Sequence, residues 1–418
     1  MTGRARVIAW LQGDWLGRSR VNAYSRILLI VSLASFYNSY RQATGRTGSD
    51  FLAFWSAGKL AVAGMAERVY DLAATGAVQA GLGRGDVFAF VNPPPFLLLV
   101  WPLGYLGFVT AWVAWIAVTY ALWLVAARQL DRRLVWPIAA FPGALVAGWH
   151  AQTGLLTGAL ILGAGVLLPR RPVLAGLCIG ALVIKPHLAL LFPVALLAGR
   201  HWSTLWSAAA TALGLVLLTA ALFGPETLTN YPQSWQVSRF LLEHGSREFF
   251  LRQCTPYAAI RVFGSPDAAL AIQAACTLGC VVLTWRAWSL EMELRWKMAV
   301  ALSALPLATP YLFSYDLAFL VLPVIWLIGE ELDRPRRGWE RPLLLCLYLS
   351  PLWTRALALP LGVNLGPAVQ AAMLWHIWKR PSCGRRDPQA GLRLRRVARA
   401  PESPCEGPPE SEGAEGRN

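Results

Sequence analysis

The sequence predicts an all-α polytopic membrane protein, and three observations carry that reading. The 418-residue chain is 56% hydrophobic and only 15% charged, with a mean hydropathy of +0.45, whereas soluble domains carry about 25% charged residues. Its apolar residues fall in repeated runs, which suggests a bundle of about 10–12 transmembrane helices with juxtamembrane helices on the outer face. Its 20 tryptophans fit the headgroup level, where indole rings settle. In a soluble protein the net charge of +15 would point to nucleic acid. Here the arginines sit in short clusters between apolar runs, as cytoplasmic loops do. The expected partners are therefore membrane lipids and not nucleic acid.

Residues 1–26 carry Arg4, Arg6, Arg18, Arg20 and Arg26 around Val7, Ile8, Trp10, Leu11 and Trp15, which predicts an amphipathic cytoplasmic segment. No small-residue cleavage site follows the first apolar run, so no cleavable signal is expected. Residues 27–40 form a short first span. The segment 42–92 sets Arg46, Lys59, Arg68 and Arg84 against Asp50, Glu67, Asp71 and Asp86, a balance that suits the non-cytoplasmic side. Asn92-Pro93-Pro94-Pro95-Phe96 then opens an apolar stretch that reaches Tyr105. If this stretch crossed, Arg128, Arg132 and Arg133 would lie outside. A juxtamembrane helix over 93–106 keeps the later arginine clusters inside and suits the prolines, which start helices but break their interiors.

Further spans are predicted at about 108–127, 134–149, 153–168, 172–185, 187–199 and 203–222. Five more follow at about 268–285, 298–312, 315–329, 342–358 and 361–378. Residues 27–380 thus form one membrane domain, with outer loops near 42–107 and 224–267. From 381 to 418 Pro, Gly, Arg and Glu dominate, and this cytoplasmic tail is expected to be disordered. The seven cysteines form no CxxC pair, and Cys276 and Cys280 share a helical face as packing residues do. Neither a structural metal nor a disulfide framework is expected.

With that topology the unusual polar residues collect on the outer face. Asp50 follows Gly48-Ser49, and a carboxylate where the hydrocarbon ends needs a partner or a task. Its plainer use is to cap the helix that Phe51 begins. His150 and Gln152 share the turn Gly148-Trp149-His150-Ala151-Gln152-Thr153-Gly154, and Lys185-Pro186-His187 interrupts an apolar run. Tyr315 and Asp316 follow Thr309-Pro310 at a later turn, Asn92 heads the proline run, and Arg252 lies in the second long loop. Most have an ordinary explanation as loop histidine, kink, cap or solvated arginine. Lys185 resists one, because a lysine in an apolar run needs an anion or an escape to the interface. Convergence at one face favours a shared site.

These motifs, in this order, resemble glycosyltransferase family 87, the bacterial polyprenol-phosphate-mannose-dependent mannosyltransferases of the GT-C fold. The resemblance rests on Ser-Asp-Phe after a first span, the Pro-Pro start of the next apolar segment, Gly-x-x-x-Gln-Thr-Gly, a membrane Lys-Pro, and a late Thr-Pro-Tyr…Tyr-Asp turn. It covers roughly residues 27–330. It implies a multispan enzyme at the outer face of the bacterial inner membrane, with a polyprenyl-phosphate sugar as donor and a glycolipid or glycan as acceptor. No cofactor is expected beyond the lipid-linked sugar as co-substrate, and the resemblance places the catalytic base of the first outer loop on Asp50. Family members often carry histidines in the late Ser-Pro motif, where this chain has Thr309-Pro310 and then Tyr315-Asp316. That departure bears on the acceptor and the sugar.

The residue chemistry suits such a step. A positioned carboxylate can take the proton of a sugar hydroxyl as it attacks, which is typically worth ~10²–10⁴ in rate. The phosphate leaving group needs a cation. Lys185 and Arg252 are the candidates, with His150 or His187 as hydrogen-bond donors. A single displacement inverts the anomeric centre, so a β-linked donor gives an α-linked product. A lipid-linked sugar transporter or flippase is the alternative, with charges on broken helices and usually an internal repeat. Lys185-Pro186 could be such a break, but no repeat is visible. A non-catalytic membrane assembly protein is the other alternative. Sugar transfer from a polyprenyl donor, lost on changing Asp50, separates all three.

Overall fold

A computed structural model describes residues 12–13, 15–45, 49–83, 87–333 and 338–380. The tail from 381 and residues 1–11 of the expected amphipathic segment lie outside these residues. Among the described residues the architecture is helical, with an isolated bridge between Gln253 and Phe313. Helix α1 (Arg18–Thr44) is continuous for 27 residues, and so runs through the boundary expected at residue 26. The stretch holds neither Gly nor Pro, so nothing in it stops a helix.

The segment expected to be a polar connection is largely helical. It contains α2 (Phe51–Val62), a 12-residue helix of which ten residues are buried, and α3 (Leu72–Ala80), capped by the Asp71 side chain. Its charges lie mostly on the connecting turns, and their balance masked an apolar helix. The turns of Pro94–Tyr105 pack on α2 and are shorter than the roughly 20 residues a crossing needs. Gly58 and Gly104 meet there backbone to backbone, and a Cβ at either would overlap a carbonyl oxygen of the other segment. Phe51, Phe54, Phe96, Phe108 and Trp115 interlock by ring contacts above this pair.

The chain continues through α4 (Phe108–Ala127), α5 (Pro142–Trp149), α6 (Gly154–Leu167), α7 (Pro172–Gly180), α8 (Phe192–Ala198) and α9 (Trp202–Phe223). Then come α10 (Pro232–His244), α11 (Pro266–Ser289), α12 (Leu294–Ala308), α13 (Val321–Asp333), α14 (Glu340–Leu361) and α15 (Gly366–Trp378). Among the described residues α4, α9, α11 and α14 are the four helices long and apolar enough to cross a membrane. Val113, Val118, Leu217 and Leu278 stand exposed on three of them, as lipid-facing residues must. Helices α12 and α13 are the opposite case, buried almost all round. The chain is an all-α polytopic membrane protein.

Proline accounts for two departures from the expected spans. The span expected over 134–149 is interrupted where Pro142 opens α5. The spans expected at 172–185 and 187–199 are α7 with a turn at Ala181–Ile184, and a turn at Pro186–Ala189 leading to α8. Between them Lys185 leaves the helical region at φ −153° and ψ 71°, as a residue before proline is pushed to do.

The two long connections meet each other. Asn230 Nδ2 donates to the Glu67 carbonyl at 3.0 Å, and the Tyr70 and Tyr231 rings lie 5.6 Å apart. The turn after α4 instead reaches the far end of α13, where Arg133 pairs with Asp333. These two zones occupy opposite ends of the bundle.

Candidate active site

Asp50 does not cap α2. Its backbone is already helical at φ −55° and ψ −22°, and its side chain makes no capping bond. Instead its Oδ2 accepts from Gln152 Nε2 at 2.8 Å. The turn after α5 delivers that amide: Ala151 sits in the left-handed region at φ 48°, which costs a non-glycine residue about 1–3 kcal/mol. The plainer reading of Asp50 therefore fails, because its carboxylate is spent on a contact 102 residues away in sequence.

Lys185 finds the anion that its apolar surroundings demand. Its Nζ lies 2.5 Å from Asp316 Oδ1, with Asp316 fully buried, and it donates to Thr153 Oγ1 at 3.2 Å. Asp316 Oδ2 takes the Phe313 backbone N–H at 3.3 Å, so this carboxylate also caps the turn it stands in. The close approach depends on Gly154, since a Cβ there would overlap the Tyr315 carbonyl oxygen. The Gln-Thr-Gly sequence thus serves three contacts: Gln152 to Asp50, Thr153 to Lys185, and Gly154 to the late turn.

A third strand of contacts comes from α14. Arg355 donates from one terminal nitrogen to Ser314 Oγ at 3.1 Å and from the other to His150 Nε2 at 2.8 Å. His150 Nδ1 lies 2.9 Å from the Val146 carbonyl. A carbonyl only accepts and a guanidinium only donates, so the ring is the neutral tautomer with its proton on Nδ1. Both ring nitrogens are then occupied. Burial, reinforced by the Arg355 charge, lowers the His150 pKa to about 4, which agrees with that tautomer.

Electrostatics set Asp50 apart. Burial raises its pKa above the usual carboxylate range, while the Gln152 amide and the charges of Lys185, Arg252 and Arg355 pull the other way. A carboxylate held in that balance is more basic than one in water. Arg252 forms an i,i+4 pair with Glu248 at the surface. His187 turns its ring edge-on to Tyr311 at 6.3 Å, and its Nε2 is buried without a hydrogen-bond partner among the described residues. Tyr315 stacks on Phe313 at 5.0 Å. The backbone carbonyl of Asn92 accepts from the Tyr70 hydroxyl at 2.9 Å.

The structure therefore gathers Asp50, Gln152, Lys185, Asp316 and His150, with Arg252 within electrostatic reach. Sequence reasoning missed Arg355, Thr153 and Ser314. For Arg355 the signal was present, because it is a charge inside an apolar run, as Lys185 is. Thr153 stood inside the Gln-Thr-Gly motif without being given a role, and Ser314 carried no signal of its own, since hydroxyl residues are common in turns.

A helical membrane protein that gathers a carboxylate, an amide and several cations at one end of its bundle has the groups needed to handle a polar ligand. Its particular family is then given by comparison. Residues 90–312, more than half of the chain, match the model of glycosyltransferase family 87. The chain belongs to that family and is a glycosyltransferase. The matched stretch holds Asn92, His150, Gln152, Lys185, His187 and Arg252, begins after Asp50, and ends before Tyr315 and Asp316. No curated protein and no solved structure matches the chain.

Proposed function

We propose that this glycosyltransferase moves a hexose, with mannose the first candidate, from a polyprenyl phosphate to a glycolipid or glycan acceptor. The reaction takes place at the outer face of the bacterial inner membrane. The single observation behind this reading is the Asp50 carboxylate, released from capping and held by Gln152 beside three cations. The acceptor hydroxyl oxygen attacks the anomeric carbon as the bond from that carbon to the phosphate oxygen breaks. Asp50 takes the hydroxyl proton, and the bonding pair leaves with the phosphate. Attack opposite the leaving group inverts the anomeric centre.

Gln152 orients Asp50 so that one carboxylate oxygen remains for the acceptor. The neutral Lys185–Asp316 pair fixes the late turn against the Lys185-Pro186 break. The lipid chain needs no protein tunnel, because α4 and α9 present exposed apolar flanks on which it can lie.

The test is Asp50→Asn, which keeps the shape and much of the hydrogen bonding but removes the basicity. Turnover of a polyprenyl-phosphate mannose should fall while binding of that lipid is kept, since the lost interaction belongs to the transition state. Near-normal turnover in correctly inserted protein removes Asp50 as the base.

A further inference from the structure

We propose that Arg355 is the cation that holds the phosphate of the lipid carrier, with His150 and Ser314 as the groups that aim it. This inference rests on the reading of the site as one for a polyprenyl-phosphate donor. It follows from an accounting of charge. Lys185 is matched by Asp316, and Arg252 is matched by Glu248. Arg355 contacts a hydroxyl and a neutral imidazole and, among the described residues, forms no ion pair with a carboxylate.

An arginine held in a membrane helix without a contacting anion is expensive, and its persistence there marks a functional position. Asp50 acts on Arg355 through its charge, but its hydrogen bond goes to Gln152 and the two side chains do not form an ion pair among the described residues. A guanidinium carries five N–H donors in a rigid fork that fits phosphate oxygens. Ser314 and His150 occupy one on each terminal nitrogen, which leaves the rest of the fork for a ligand. The side chain is only half-buried, so a ligand can reach it.

A second sign of a polar ligand comes from the narrow crevice that Arg355 lines with Arg252, Gln253, Thr354 and Asn364, which holds no water-sized space in this structure and which a ligand must widen. The Gln253 side chain is buried, at 1% exposure, yet among the described residues neither its amide nitrogen nor its oxygen has a hydrogen-bond partner. Asn364, by contrast, is fully used: it donates to the carbonyls of Phe250 and Gln253 and accepts from Gly366 N–H. The crevice thus has a rigid floor and an unengaged donor–acceptor pair beside the unmatched guanidinium. A phosphate that carries a hydroxylated sugar meets both needs.

The discriminating measurement is binding of farnesyl phosphate against farnesol by the full chain in nanodiscs, because only the charge differs strongly between them. The wild type should prefer the phosphate. Arg355→Gln should remove that preference, a loss on the order of 10- to 100-fold for a charge-assisted pair, and Arg355→Lys should restore part of it. The neutral exchange Lys185→Met with Asp316→Asn should leave the preference in place. If instead this exchange abolishes it while Arg355→Gln keeps it, Lys185 holds the phosphate and the assignment is overturned. If the wild type shows no preference, the polyprenyl-phosphate reading itself falls. Should Arg355→Gln fail to fold, Ser314→Ala decides, since it loosens the guanidinium but leaves its charge. A raised donor KM with an unchanged acceptor KM supports the proposal, and an unchanged donor KM overturns it.

Discussion

The two ends of the helical bundle use the same residue types to opposite effect. At the end away from Asp50, several charges are clamped in pairs: Arg133 forks Asp131 and Asp333 at 2.8 and 2.5 Å, Arg341 meets Glu331, and Glu340 meets both His376 and Arg380. These clamps tie the turn after α4 to α13, and α14 to α15. At the other end the matching is incomplete, with a carboxylate held by an amide and a guanidinium held by neutral groups. Clamped pairs describe a fastening. A carboxylate and a guanidinium held by neutral groups describe a place prepared for something else.

The largest expected effect tests the unmatched end. Asp50→Asn should lower turnover by ~10²–10⁴, whereas Arg133→Met at the matched end should leave turnover unchanged. Equal losses in the two variants, measured as initial rates at saturating donor, would erase the distinction.

Lys185→Met comes next, because it leaves Asp316 buried without its counter-charge. A stability loss of about 3–5 kcal/mol is expected, read as a lowered denaturation midpoint in detergent. Adding Asp316→Asn should recover most of it. Failure of that rescue would mean that the pair does more than neutralise itself.

A smaller effect concerns pH. The Asp50 pKa is raised by burial, so the carboxylate protonates, and activity falls, at a higher pH than for an ordinary aspartate. The Gln152 amide favours the charged form. Gln152→Leu should therefore raise the pKa further and move the acid limb of kcat/KM to higher pH. A limb that stays in place would show that Gln152 does not act on Asp50. His150 works with the opposite sign. Its folded pKa of about 4 lies below the ordinary histidine value, so its contribution to stability is complete above about pH 6.5 and is lost as pH falls towards 4. His150→Gln should flatten the stability profile across that window.

The smallest effect returns to the matched end. Arg133 is half-exposed, and exposed pairs contribute about 0–1 kcal/mol. Arg133→Met should shift the melting midpoint only slightly.

Much of this contrast was legible in the sequence. Asp50, Gln152, Lys185 and Asp316 stood out because each is a polar residue at a turn or inside an apolar run, and the fold brings them together. Helix α2 was harder to see. Its twelve residues resemble a short span, but they lie within a segment whose balanced charge reads as a solvated loop. Arg355 was passed over although it is a charge inside an apolar run, because only the register of α14 against the turn after α5 gives the residue its meaning. The continuity of α1 followed from the absence of helix breakers, yet a change in charge density at residue 26 suggested a boundary. Local pattern shows which residues are unusual, while long-range packing decides which of them meet.

The proposed site draws on position 50, the turn at 150–153, the break at 185, the turn at 314–316 and position 355 of one chain. A ribosome delivers these residues in that order, so the carboxylate enters the bilayer long before the guanidinium. On the proposed assignment, the nascent protein carries its base throughout that interval without the cradle for its substrate, and it would become competent only when its penultimate described helix has been threaded.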